Sequence, residues 1–322
     1  MTIKQILVIG NRDLSYAIVG ALLPPLSHGG DPSPIITVLT NPFQTPYLPP
    51  HVPKDKVQHK TTDFTPPSLH SAFVGQDLVI CTIAGADYDF QMRIIDAAVA
   101  AGVKRFMPHE FGQDSLNIRI QGRTPRTVGR ASVIEYLRRL SDNPRSAFTW
   151  VAVAVGCILD TALMNGDLGF DLQWQSGALS GTGNERFAAT SLARVGLVVA
   201  RIVGHWDDVE NQFLYSAGLF TSAKEVTIFL EKLTASTWTV DYSEIGDCIR
   251  EGTSRIERGY PDAGMRLLEK SILCDESLRT IDAFEHGSAN GLLQLEAESI
   301  KAILDRTYHD FQHRGKPKCG CE

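Results

Sequence analysis

Two short runs hold residues able to do chemistry. The first is Gly10-Asn11-Arg12-Asp13-Leu14-Ser15, which follows the apolar run Ile6-Leu7-Val8-Ile9. An apolar strand, a glycine turn and a helix in that order open a dinucleotide-binding unit, whose fingerprint is G-x-G-x-x-G. Only its first glycine, Gly10, is present; Arg12 and Ser15 stand at the second and third positions. The second glycine lets backbone approach a pyrophosphate, and the third lets helix and sheet pack closely. Arg12 therefore either fills the phosphate space or meets a phosphate as a charged donor. Ser15 costs little at a packing position, and its hydroxyl is a candidate phosphate ligand. The second run is Val103 to Gly112, where an apolar strand stops at Pro108 and His109 and Glu110 follow at once. A histidine at a strand end titrates near neutrality and can serve as general acid or base. The alternative is a hydrogen-bonded structural histidine. Glu110 reads as a structural support, or as the group that orients a catalytic neighbour.

Such residues need a scaffold, and the first half of the chain supplies one. Apolar or β-branched runs at 6–9, 35–39, 57–61, 77–82, 103–107 and 148–155 read as strands. Helical patterns lie between them, near 16–23, 69–73, 89–101 and 127–140. This alternation predicts an α/β fold, a Rossmann-like parallel sheet with helices on both faces. Ligands of such folds bind beyond the carboxyl ends of the strands, where Gly10, Thr40, Gly85 and His109 fall. After the second strand the sequence is Thr40-Asn41-Pro42, with no charge to grip a ribose or its phosphate. Asn41 is a ribose ligand or a turn residue before proline. The nucleotide-binding core is expected over 1–155. A substrate-binding lobe is expected mainly over 156–322, with some segments returning to the core. Residues 166–183 read as irregular, 191–203 as a buried helix, 212–215 as a short strand, and 222–233 as a helix opened by a Ser222/Glu225 capping box.

Composition disfavours several classes. The chain has 322 residues, is 21% charged, and carries a formal net charge of -6. That balance gives no pull toward nucleic acid or an anionic membrane. No apolar run reaches the roughly 18–20 residues that span a bilayer. The strand pattern begins almost at once, leaving no room for a signal peptide, and the six cysteines are scattered. Both point to a reduced, cytoplasmic setting. Cys319-Gly320-Cys321 is half of a metal site without a second half. Asp160, Asp167 and Asp171 read as caps and loop residues, so no metal is expected.

Lys104-Arg105-Phe106-Met107-Pro108-His109-Glu110-Phe111-Gly112 resembles the KRF-x-P-S-E-F-G signature of the NmrA-like and isoflavone-reductase-like proteins. These are atypical short-chain dehydrogenases, many of them fungal NAD(P)-binding proteins of secondary metabolism. The resemblance runs over nearly the whole chain. Residues 6–14 are similar to the family's opening I-L-V-x-G-A-G-E-L-G. Phe148-Thr149-Trp150, residues 156–160, Asp167-Leu168-Gly169-Phe170-Asp171 and Gly181-Thr182-Gly183 add to it.

The resemblance implies NADP(H) as cofactor, with Gly10, Arg12, Ser15, Asn41 and Gly85 about it, although the glycine fingerprint is degenerate. It implies a catalytic lysine on the helix after the fifth strand, whose place Arg130 takes. Arginine stays protonated, so it can bind an oxyanion but cannot shuttle a proton. His109 replaces the signature's serine. Phe111 is expected under the substrate loop, and Phe170 and Trp174 about an apolar substrate. The Tyr-x-x-x-Lys pair is absent, since Leu140 stands four residues after Tyr136. Together these changes favour a redox-neutral enzyme: an isomerase, cyclase or rearrangement catalyst. It would act on a small, largely apolar metabolite, with His109 as acid/base, Glu110 helping to hold it, and Arg130 for charge stabilisation. The alternatives are an NADPH-dependent reductase of an aromatic or terpenoid-like compound, and a non-enzymatic dinucleotide-sensing regulator. The expected partner is a small-molecule substrate, with the protein a monomer or homodimer.

Overall fold

The computed structural model describes residues 3–23, 33–83, 88–143 and 147–314. The chain starts with β1 (Gln5–Ile9), α1 (Asp13–Leu22), β2 (Ile35–Thr40) and β3 (Val57–Thr61). It continues with α2 (Pro66–Phe73), β4 (Leu78–Cys81), α3 (Tyr88–Ala100) and β5 (Arg105–Met107). Then come α4 (Ile118–Gln121), α5 (Pro125–Ser141), β6 (Thr149–Ala154), β7 (Cys157–Ile158) and α6 (Leu159–Met164). The strands β8 (Phe170–Asp171), β9 (Ser176–Ser180) and β10 (Arg186–Thr190) follow. Next are α7 (Leu192–Gly204), α8 (Trp206–Val209), β11 (Gln212–Tyr215) and β12 (Leu219–Ser222). The last elements are α9 (Ala223–Thr234), β13 (Thr239–Ser243), α10 (Ile245–Glu257), α11 (Pro261–Leu273), α12 (Asp282–His286) and α13 (Ile300–His313).

Seven strands form one parallel sheet in the order β11-β6-β5-β4-β1-β2-β3. Strand order reverses between β1 and β4, which is where open α/β sheets bind ligands. Residues of β1 alternate between the faces. Ile6 and Val8 join the core beneath α1 and α7, while Leu7 and Ile9 join the core beneath α2, α3 and α5. Burial on both faces explains why these strands read as continuous apolar runs.

The lobe departs from expectation at 166–183. That stretch is not irregular: β8 and β9 pair antiparallel, and β9 pairs with β13. Phe170, Leu172 and Leu179 enter a third core with Trp238 and Leu273, and that burial orders the hairpin. The Ser222 cap forms as expected, its hydroxyl accepting the Glu225 N–H at 3.2 Å.

Gly156 marks the passage from β6 into the lobe. Its N–H donates to the Gly112 carbonyl at 3.0 Å. Its φ is +76°, and a Cβ there would lie 2.3 Å from the Ala188 carbonyl oxygen. Gly156→Ala is therefore expected to cost about 2–3 kcal/mol, from left-handed strain plus the clash. Gly75, at φ +81° with open space around it, is the control. Urea titration of both alanine variants checks this, and equal costs would remove the clash from the account.

Candidate active site

A cavity of about 380 Å³ opens at the carboxyl ends of β4, β5 and β6. Its floor is Pro108 to Gln113, one wall is α5 with Arg126, Thr127, Arg130 and Val133, and α11 supplies Arg266, Lys270 and Leu273. Tyr88, Gln91, Cys157 and Ile158 complete much of the lining. His109, Glu110, Phe111 and Arg130, all named from sequence, meet here.

Glu110 is buried, at 1% exposure, and its carboxylate accepts from Arg130 Nε at 2.9 and 3.1 Å, with Nη2 paired to Oε1 at 2.7 Å. Arg130 Nη2 also donates to the Gln113 carbonyl at 2.8 Å. Position 130 sits on α5 because Thr124 caps that helix and Pro125 starts it. The pair fixes a permanent cation on the cavity wall. Its Nη1 makes no hydrogen bond among the described residues, which leaves donors for a substrate oxygen. Glu110 thus holds Arg130, one of the two groups, with His109, that it was expected to orient.

His109 is half-buried, with its ring edge-on to Phe111 at 5.9 Å between centroids. Burial and then the Arg130 charge lower its pKa to about 4. The expectation of titration near neutrality fails on these two counts, and at neutral pH the imidazole is uncharged. Burial and the nearby Asp160 push the Cys157 thiol up to about 12, so it stays protonated.

The nucleotide end centres on Gly10, whose φ is +128°. A Cβ there would lie 2.2 Å from Thr82 Oγ1, at the meeting of β1 and β4. Arg12 is the exposed N-cap of α1 and makes no ion pair among the described residues. Ser15 does not offer its hydroxyl to a phosphate. It is buried at 3%, accepts the Arg12 N–H at 2.9 Å and donates to the Arg12 carbonyl at 2.7 Å. Asn41 serves the turn, its Oδ1 accepting the Phe43 N–H at 3.1 Å. Asn11 ties down the loop after β2 through Thr45 and Tyr47, and Tyr47 stacks on Tyr16 at 4.5 Å. Gly85 lies outside the described residues, as do Cys319 and Cys321. The backbone N–H groups of Asp13 and Leu14, in the first turn of a ten-residue helix, have no partner among the described residues. Free helix N–H groups beside an unpaired arginine fit a phosphate.

Two expected substrate contacts are elsewhere. Phe170, at 3% exposure, is core under the β8–β9 hairpin, and Trp174, at 76%, faces solvent. Asp160 and Asp171 accept backbone N–H groups as caps. No metal-binding cluster occurs among the described residues. None of their helices is long and apolar enough to cross a membrane. Sequence reasoning missed Tyr88, Arg126, Arg266 and Lys270. Their only signal was polar placement on amphipathic helices, which solvent exposure explains equally well.

A family model described as the NmrA-like family matches residues 56–242. The chain is 30% identical over 306 residues to oxidoreductase aprR of Aspergillus flavus, covering 94% of this chain and 98% of that one. It is 28% identical over 246 residues to oxidoreductase poxI of Penicillium oxalicum, covering 76% and 78%. Its fold matches the crystal structure of an isoflavone reductase with a TM-score of 0.70 at 17% identity, covering 95% and 100%. It matches a ternary complex of leucoanthocyanidin reductase from Vitis vinifera with a TM-score of 0.72 at 14% identity, covering 95% and 99%.

Proposed function

The chain belongs to the NmrA-like family, and from that premise we propose that it is an NADPH-dependent reductase of a small, largely apolar metabolite. One observation carries the reading: the Glu110-held Arg130 on the wall of a mainly apolar cavity, on the same sheet edge as the free first turn of α1. Gly10, Arg12 and the N–H groups of Asp13 and Leu14 hold the phosphates, and the cofactor supplies hydride when bound. Relatives named oxidoreductases, and a fold neighbour, a leucoanthocyanidin reductase from Vitis vinifera in binary complex with NADPH, support this over the redox-neutral reading. The helix N-terminus supports it too, since Arg12 leaves that end open. Arg130 stabilises negative charge gathering on a substrate oxygen. It is always cationic, so the completing proton comes from the aqueous phase. His109, neutral at working pH, contributes a hydrogen bond and shape rather than a stored proton. The apolar walls exclude water from the transfer.

Calorimetric titration with NADPH tests the reading. Micromolar binding is expected, and Arg12→Glu should weaken it by about tenfold or more through lost pairing and added repulsion. Loss of nicotinamide absorbance with aromatic ketones or enones is the companion assay. Absence of NADPH binding would return the redox-neutral alternative to the lead.

A further inference from the structure

The cavity wall carries charge as well as apolar surface. The described lining carries Arg126, Arg130, Arg266 and Lys270 against Glu110, Asp167 and Glu269. Three of these cations have acidic partners. Arg130 is bound by Glu110, Arg126 reaches Glu269 at 2.9 Å, and Arg266 stands 3.8 Å from Asp167. Lys270 has no carboxylate within 4.0 Å among the described residues. Its ammonium donates to the Ala178 carbonyl on β9. An ammonium has three donors, so at least two remain after that bond. Gly169 leaves room for the ammonium, since a Cβ there would lie 2.7 Å from Nζ. The same lysine borders the small apolar crevice of Leu168, Phe170, Leu179 and Phe187. A cation anchored on a neutral carbonyl, at the edge of a partly desolvated apolar cavity, favours a bound anion.

We propose that Lys270 is the substrate anchor, and that the substrate class is an apolar molecule with one anionic group such as a carboxylate or enolate. The anion pairs with Lys270 on the lobe side, which leaves the reacting end for Arg130 on the β5 side. This inference rests on reading the cavity as the substrate site. Its test needs no dinucleotide, so it can fail independently of the reductase reading.

Calorimetry with naphthoate and the neutral naphthamide provides the test, since the pair differs in charge and little in shape. The wild-type protein should bind naphthoate about tenfold tighter than naphthamide, the worth of one charge-assisted contact. Lys270→Met should erase that preference and leave naphthamide affinity unchanged, while Lys270→Arg keeps the preference. Lys270→Gln retains a donor for the Ala178 carbonyl and replaces the methionine variant should that one not fold. Equal affinity for the two probes, no binding of naphthoate, or an intact preference in Lys270→Met or Lys270→Gln would each overturn the proposal. Loss of the preference on mutation with NADPH binding intact supports the anchor. Absent NADPH binding with the preference intact refutes only the reductase reading.

Discussion

Glu110→Gln is expected to lower the free energy of unfolding by about 3–5 kcal/mol. The substitution keeps volume, so packing changes little, but it turns one of the two oxygens that accept from Arg130 Nε into an NH2 donor. It removes the charge that neutralises Arg130, whose side chain is only 22% exposed. Arg130 then keeps the Gln113 carbonyl at 2.8 Å but loses its carboxylate. A guanidinium so enclosed cannot recover full hydration, and that uncompensated charge dominates the cost. A double-mutant cycle with Arg130→Met separates this from generic damage. The double variant buries neither charge, so it should be more stable than the two single costs predict, by about 2 kcal/mol. Simple additivity in urea titrations would mean that the two side chains do not act as a unit. The cycle also bears on function, because an arginine without its carboxylate no longer holds one orientation toward a substrate oxygen.

Features that follow from local pattern were legible in the sequence. Strands buried on both faces read as apolar runs, and β11 was located at its full length, Gln212–Tyr215. The run from Lys104 to Gly112 gave the family and set His109, Glu110 and Phe111 on one cavity floor. Features set by distant contacts were not legible. The alternation of Phe170, Leu172 and Trp174 shows that these residues share a face but not what covers it. In the fold the first two meet Trp238 and Leu273, and Trp174 lies past the strand at a turn capped by Asp171. Lys270 looked like any lysine on an amphipathic helix until β9 closed against it, 92 residues away in sequence. Ser15 is buried at the packing position expected of it, but its hydroxyl bonds the backbone of Arg12, an unusual N-cap whose identity alone does not announce a cap. The redox-neutral reading leaned on side-chain identities: Arg12 and Ser15 at the fingerprint, Arg130 in the lysine's place and His109 at the strand end, whereas the first turn of α1 leaves backbone N–H groups unpartnered among the described residues, and every residue but proline carries those.

The pH dependence of stability should reveal His109 directly. Its folded pKa is about 4 and its ordinary value is 6.5. Between these values the unfolded chain holds a proton on the imidazole and the folded chain does not. Stability therefore rises with pH across that window, by at most about 1.4 kcal/mol per pH unit, and the contribution is complete above pH 6.5. Acidification from neutrality to pH 4 should cost about 2–3 kcal/mol at this residue, allowing for its partial exposure. Two buried acids act in the opposite sense. Burial raises the carboxyl pKa values of Asp114 and Asp160, so the folded chain gains their protons first and acid favours folding through them. The raw stability curve mixes these effects. The difference between wild type and His109→Asn isolates the imidazole, because asparagine does not titrate and the two acids cancel. That difference should be flat above pH 7 and fall toward pH 4, with the wild-type protein losing the more. A flat difference down to pH 4 would mean that His109 takes up its proton in the folded state near its ordinary value. The imidazole would then be free to act as an acid at neutral pH, and the proton now assigned to water would pass to His109.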